Sequence, residues 1–208
     1  DKAKKLAPQF VDSRLGDGLW LYWRSLIAMN IPGFSAFADQ RKEGIKLMQQ
    51  AERESVFLRP ASSHALTYTW IEERKMLKAE STALRLHRAY PNNLINLQLL
   101  GRIYLYRGNY PQSERTFKKV LAIDGKNERV HFYLSRLYLR WRKVSLAQNH
   151  IDKYLTFELS DVHKGYAHYY QGHIYSRQKK WEEAKNAYQL AWRYAKVKGS
   201  KEKIKIME

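Results

Sequence analysis

An all-α solenoid built from antiparallel helix pairs is the fold class this sequence predicts, and three observations predict it. One pattern of small and bulky side chains recurs at thirty-four residues. Hydrophobic residues make up 44% of the chain and aromatics 13%, enough to bury a sizeable core. Only five prolines and ten glycines occur in 208 residues, a composition that suits long helices better than many tight turns.

The register is read from four residue classes at once. Gly101 and Ser135, Tyr104 and Tyr138, Ser113 and Ala147, and Phe117 and Ile151 are each thirty-four apart. The same interval backward reaches Thr67, Trp70, Ala79 and Ala83. Forward, the counterparts Gly172, Tyr175, Ala184 and Tyr188 stand thirty-seven on, which places one three-residue insertion in the polar stretch Glu158 to Lys164. Helices pack with axes about 8–10 Å apart, and close approach requires a small side chain where they cross. Gly101, Ser135 and Gly172 supply it on the first helix of a pair, and Ala79, Ser113, Ala147 and Ala184 on the second. Trp70, Tyr104, Tyr138 and Tyr175, one turn further along, fill the space between pairs.

In chain order, residues 1–59 fall outside the register and read as an irregular helical hairpin that caps the stack, since terminal repeats are usually atypical. Gly18 to Met29 is an apolar, aromatic helix with Leu19, Trp20, Tyr22, Trp23, Leu26 and Ile27; a membrane-surface helix is the alternative reading of this segment. Ile31-Pro32-Gly33 breaks it, and Ala36 to Glu54 is its amphipathic partner. About four regular repeats follow over 60–198, at 60–93, 94–127, 128–164 and 165–198. Pro91 with Asn92 and Asn93 ends one helix and offers a cap for the next, and Gly108-Asn109 and Asp124-Gly125 are turn signals. Residues 199–208 form a charged C-terminal tail.

Leu97, Leu100, Gly101, Tyr104, Gly108, Tyr110, Ser113, Phe117 and Val120 resemble the signature of the tetratricopeptide-repeat (TPR) family, and Gly172, Tyr175, Trp181, Ala184, Tyr188 and Ala191 repeat it. Pro91 stands where that family commonly has proline, whereas Gly125 replaces it in the next unit and Tyr154 occupies a usually small position. The resemblance implies a right-handed superhelical solenoid whose first helices line a concave face used for docking.

The chemistry that remains is that of binding. With no cysteine, there is no disulfide framework, thiolate zinc site or catalytic thiol. No phosphate-cradling glycine loop, His-Glu-x-x-His or nucleophile elbow occurs, so no enzyme activity and no cofactor are expected. His163, His168 and His173 are spaced by five, which turns a helix by about 500° and scatters the imidazoles, so no metal site is expected. Glu72-Glu73 and Glu182-Glu183 read as solvated charges. The formal charge of +18 favours acidic partners: nucleic acid, anionic lipid headgroups or acidic protein segments. No apolar run reaches membrane-spanning length; the longest, Leu19 to Met29, contains Arg24 and Ser25. The opening Asp1 is compatible with a removed leader, and hence with a bacterial periplasmic or envelope protein as well as a cytoplasmic one.

On the faces opposite the packed small residues, the expected partner-binding set is Gln98, Arg102 and Tyr106, with Leu105 beside them, then Arg129, Phe132, Tyr133, Arg136 and Arg140, then Tyr169, Tyr170, His173 and Arg177, with Tyr166 beside them. His64, Tyr68 and Glu72 extend it toward the N-terminus. Arginine forks suit carboxylates, and aromatics add flat contact area at low entropy cost. The function expected is a non-catalytic protein-interaction scaffold that binds an acidic peptide; the alternative is single-stranded nucleic-acid binding by a basic helical solenoid. TPR proteins that clamp a C-terminal carboxylate use asparagines in that face, and none occupies the matching positions here.

Overall fold

The computed structural model describes residues 10–29, 31 and 39–207. Pro32-Gly33, the expected helix start at Ala36, and the terminal Asp1 and Glu208 lie outside the described residues. Eleven helices and no strand occur among the described residues: α1 Ser13–Ala28, α2 Arg41–Glu54, α3 Arg59–Glu72, α4 Met76–Ala89, α5 Leu94–Tyr106, α6 Tyr110–Ile123, α7 Glu128–Arg140, α8 Val144–Leu155, α9 Asp161–Arg177, α10 Trp181–Ala195 and α11 Ser200–Ile206. Two compact units part between Arg107 and Gly108.

In the N-terminal unit, α1 packs on α2 and α3 on α4. Gly18 and Gly44 face each other across the first pair so closely that a Cβ on Gly18 would sit 2.6 Å from the Gly44 carbonyl. That approach buries Tyr22, Met48 and Ala51. Trp20 and Ile27 instead stay 58% and 60% exposed on the outer side of α1. Beneath the α2–α3 turn the buried Asp12 carboxylate accepts hydrogen bonds from the Ser55 hydroxyl and from the backbone N–H groups of Leu58 (2.9 Å) and Phe57 (3.3 Å). The Ser55 hydroxyl, followed by those N–H groups, holds the Asp12 carboxyl below its ordinary pKa against the cost of burial.

In the C-terminal unit, α7 pairs with α8 and α9 with α10, and α11 packs on α10. The phased small residues all lie inside: Ala79, Ser113, Ser135, Ala147 and Ala184 are fully buried, and Gly101 and Gly172 are buried as well. A Cβ on Gly172 would meet the Tyr188 ring at 2.7 Å, and one on Gly165 would meet the Ala195 Cβ at 2.4 Å. The insertion takes the form of an extra N-terminal turn on α9, which runs 17 residues against 13 for α5 and α7.

The backbone repeats as well. Left-handed conformations occur at Arg74 (φ 56°), Gly108 (φ 76°), Arg142 (φ 61°) and Lys179 (φ 61°), just past the ends of α3, α5, α7 and α9. They stand in the same thirty-four and thirty-seven spacing as the core. Each arginine or lysine is followed by a residue whose N–H reaches back to the carbonyl of the bulky repeat position, buried at Trp70 and Tyr138 and half-buried at Tyr175: Lys75 to Trp70 (2.8 Å), Lys143 to Tyr138 (2.8 Å) and Lys180 to Tyr175 (3.0 Å). This is the Schellman stop, which satisfies carbonyls that the helix end leaves open. Asn93 caps α5 by accepting from Asn96 N–H at 2.9 Å, as the Pro91-Asn92-Asn93 turn predicts.

Candidate functional site

The expected binding residues fall in both units, and each set is built on first helices of pairs. In the N-terminal unit, α5 carries Gln98, Arg102 and Tyr106, all half-buried. The Arg102 guanidinium lies 5.2 Å from the Tyr68 ring of α3. His64 sits further back, its pKa lowered by burial. Leu105 does not belong with them. It is 1% exposed and part of the core, on a buried face of α5.

The C-terminal unit holds the denser cluster. Arg136 on α7 places its guanidinium 5.0 Å from the Tyr170 ring, 5.6 Å from Phe132 and 5.7 Å from Tyr133. The rings brace one another: Phe132 packs edge-on to Tyr170 (5.4 Å) and tilts against Tyr154 (5.2 Å), and Tyr133 stacks on Phe117 (5.8 Å). A cleft of ≈ 300 Å³ opens among Phe132, Arg136, Tyr154, His163, Tyr166 and Tyr170. Arg129, Arg140 and Arg177 are exposed on the same two helices, and neither Arg129 nor Arg177 has an ion-pair partner among the described residues. A guanidinium among aromatic faces keeps its charge and its outward donors while the rings exclude water from one side.

Tyr169 and His173 are placed differently from Tyr170. They meet each other at 4.6 Å and both pack on Tyr188 of α10, whose hydroxyl lies 3.2 Å from His173 Nδ1. Burial, then Lys203 of α11 and Arg177, pushes the His173 pKa down to about 4. These two side chains therefore sit in the seam between α9, α10 and α11, with Tyr170 on the open side.

Two cleft residues escaped the sequence reading as binding positions. Tyr154 is visible there only as a bulky residue at a usually small position, and its ring forms a wall of the cleft. His163 is visible only as one of three evenly spaced histidines; its Nδ1 lies 3.1 Å from the Ser160 hydroxyl at the start of α9. Burial, then Glu128, pushes the Tyr154 phenol up to about 12, so it remains a neutral donor.

Behind the cluster, His131 of α7 and His150 of α8 face each other with Nδ1 atoms 3.0 Å apart. His131 also lies against Phe157, and Tyr138 stacks on His150 while donating to Glu114 at 2.7 Å. One Nδ1 must donate and the other accept, so both imidazoles cannot be charged at once. Burial, reinforced by His131 and Lys118, pushes His150 down to about 4, and burial with Lys153 lowers His131.

Among the described residues no group of three or more His, Cys, Asp or Glu converges as a metal site, and no helix is long and apolar enough to cross a membrane.

Comparison with known proteins gives one matched repeat and a shared fold. The tetratricopeptide-repeat family model matches residues 97–130. No curated protein sequence matches the chain. Among solved structures, the thermophilic TPR protein TTC0263 of Thermus thermophilus is similar with a TM-score of 0.71 at 16% identity, covering 93% of this chain and 98% of that one. A tetratricopeptide repeat protein of Parabacteroides merdae gives 0.65 at 12% identity, covering 95% and 72%. A structure of MamA gives 0.56 at 18% identity, covering 68% and 82%. Residues 97–130 thus match one tetratricopeptide repeat, and the chain shares its fold with these TPR structures.

Proposed function

We propose that the chain is a non-catalytic protein-interaction scaffold that holds an extended acidic peptide against the arginine and aromatic faces of its first helices. The observation that carries this reading is Arg136, seated among Phe132, Tyr133 and Tyr170 at the edge of a cleft, with Arg129, Arg140 and Arg177 exposed beside it. Charge-assisted, often bidentate, hydrogen bonds from such arginines match carboxylates, and the rings supply rigid contact area. Gln98, Arg102 and Tyr106 form a second, smaller contact set in the N-terminal unit. The proposed organisation keeps an N-terminal hairpin over 1–59, repeats over 60–198 and a charged tail over 199–208.

The test is fluorescence anisotropy with a labelled Asp/Glu-rich peptide against the parent chain and the double variant R136E/R140E. Charge reversal is expected to weaken binding by more than about tenfold, since two charge-assisted contacts each contribute about 1.5–3 kcal/mol, while circular dichroism stays unchanged. Equal affinity of parent and variant would refute the assignment of this face. A labelled single-stranded oligonucleotide run in parallel separates the nucleic-acid alternative: tight binding at physiological salt with a steep log–log salt dependence would favour it over a peptide.

A further inference from the structure

We propose that the turn between α2 and α3 is a docking tip that seats the N-terminal unit on an anionic lipid surface, independently of the peptide-binding face. Val56 and Phe57 are 78% and 76% exposed, and Leu58 beside them is 37% exposed. Three consecutive apolar side chains held in water are costly to a protein that binds nothing there, at about 25 cal/mol per Å² of apolar surface.

The turn is built to hold them outward. Ser55 and Asp12 are buried beneath it, and their oxygens take up the inward-pointing donors: Leu58 N–H lies 2.7 Å from the Ser55 hydroxyl and 2.9 Å from Asp12 Oδ1, and Phe57 N–H lies 3.3 Å from the same carboxylate oxygen. A segment that enters the lipid interface must satisfy its backbone polar groups internally, because hydrocarbon offers no partners. Here Phe57 and Leu58 already have theirs, so their side chains can be transferred without stranding those N–H groups.

Charge beside the tip selects the kind of surface. Arg53 and Arg59 flank the turn at the rim of a cleft of ≈ 640 Å³ that also reaches Arg85 and the exposed Tyr90. Arg85 is paired with Glu52 at 2.7 Å, whereas neither Arg53 nor Arg59 has an ion-pair partner among the described residues. Two guanidinium groups and a tyrosine next to an apolar point are the chemistry of a lipid interface: apolar contacts at the acyl boundary and phosphodiester oxygens at the headgroup level. With no spanning helix among the described residues, such contact is peripheral.

The chain has no cysteine, so the variant F57C can carry a single environment-sensitive fluorophore on the tip. Phosphatidylcholine vesicles with phosphatidylglycerol are expected to blue-shift that label, and vesicles without it are not. In co-sedimentation of the unlabelled chain, V56S/F57S and, separately, R53S/R59S are expected to lower partitioning onto the phosphatidylglycerol vesicles by about tenfold, with unchanged circular dichroism and unchanged acidic-peptide binding. The proposal is overturned if the label stays in water, or if both variants sediment like the parent, which would assign any vesicle binding to diffuse attraction by the net charge. It is overturned in favour of a protein contact if V56S/F57S alters the sedimentation-equilibrium mass without any vesicle binding.

Discussion

Arg136 and the His131–His150 pair show how single side chains on one helix divide the work. Arg136 lies among aromatic rings, whereas His131, five residues earlier, faces His150 of α8, where burial disfavours its charged form. The pH consequence follows from the sign of the shift. Both histidines are lowered from 6.5, His150 to about 4, so the unfolded chain binds more protons below the ordinary histidine pKa. Their contribution to stability is complete above about pH 6.5 and is lost as pH falls from there toward about 4. His64, His168 and His173 are lowered as well and add to the same acid lability, so the pair is isolated by difference. Urea denaturation of the parent and of H131L/H150L at pH 7.5 and pH 5 is expected to give the double variant an acid-induced loss smaller by about 1 kcal/mol, a figure reduced for partial exposure. Equal losses in the two proteins would show that the pair titrates normally. Of these residues, the arginine was legible in the sequence and the pair was not, since nineteen residues separate His131 from His150 and only the α7–α8 crossing brings them together.

At the scale of the helix, the repeat is written twice, once in the core and once in the turns. Small residues at Ser135 and Gly172 are legible because the close α7–α8 and α9–α10 crossings permit little else there. The turn positions are less so: Gly108 advertises its left-handed backbone, but Arg74, Arg142 and Lys179 adopt the same conformation with side chains that disfavour it. What stabilises them is the Schellman hydrogen bonding of the next N–H to Trp70, Tyr138 and Tyr175, together with cation–π contact such as Lys143 over Trp141 at 3.4 Å. Replacing Arg142 or Lys179 by glycine is therefore expected to stabilise the fold by about 0.5–1 kcal/mol, read as a higher midpoint in urea. A lower midpoint for both would mean that the long side chains stabilise the turn by more than the strain costs. The three-residue insertion is legible by counting, and its form as an extra turn of α9 comes from Asp161 to Lys164, none of which breaks a helix.

For the molecule as a whole, the net charge of +18 acts on stability and on binding with opposite signs. Like charges repel within each unit, and salt screens them: the Debye length falls from about 30 Å at 0.01 M to about 10 Å at 0.1 M. Raising salt across that range is expected to lift Tm by a few degrees while weakening both peptide and vesicle binding, measured on one preparation by calorimetry and anisotropy. A Tm that falls instead would show that ion pairs such as Arg41–Glu73 and Arg85–Glu52 outweigh the repulsion. Charge, helix pairing and repeat phase were all determined by the sequence alone, because each depends on residue type at a fixed interval and on little else. Tertiary structure decided which of the many aromatics face water. Tyr169 turns into the α9–α10 seam while Tyr170 opens onto the cleft, Leu105 goes to the core beside Tyr106, and Phe57 stands outward above a buried carboxylate. An amphipathic ring is compatible with either side of a helix, so its place depends on the shape of what packs beside it, and no spacing rule along the chain carries that shape.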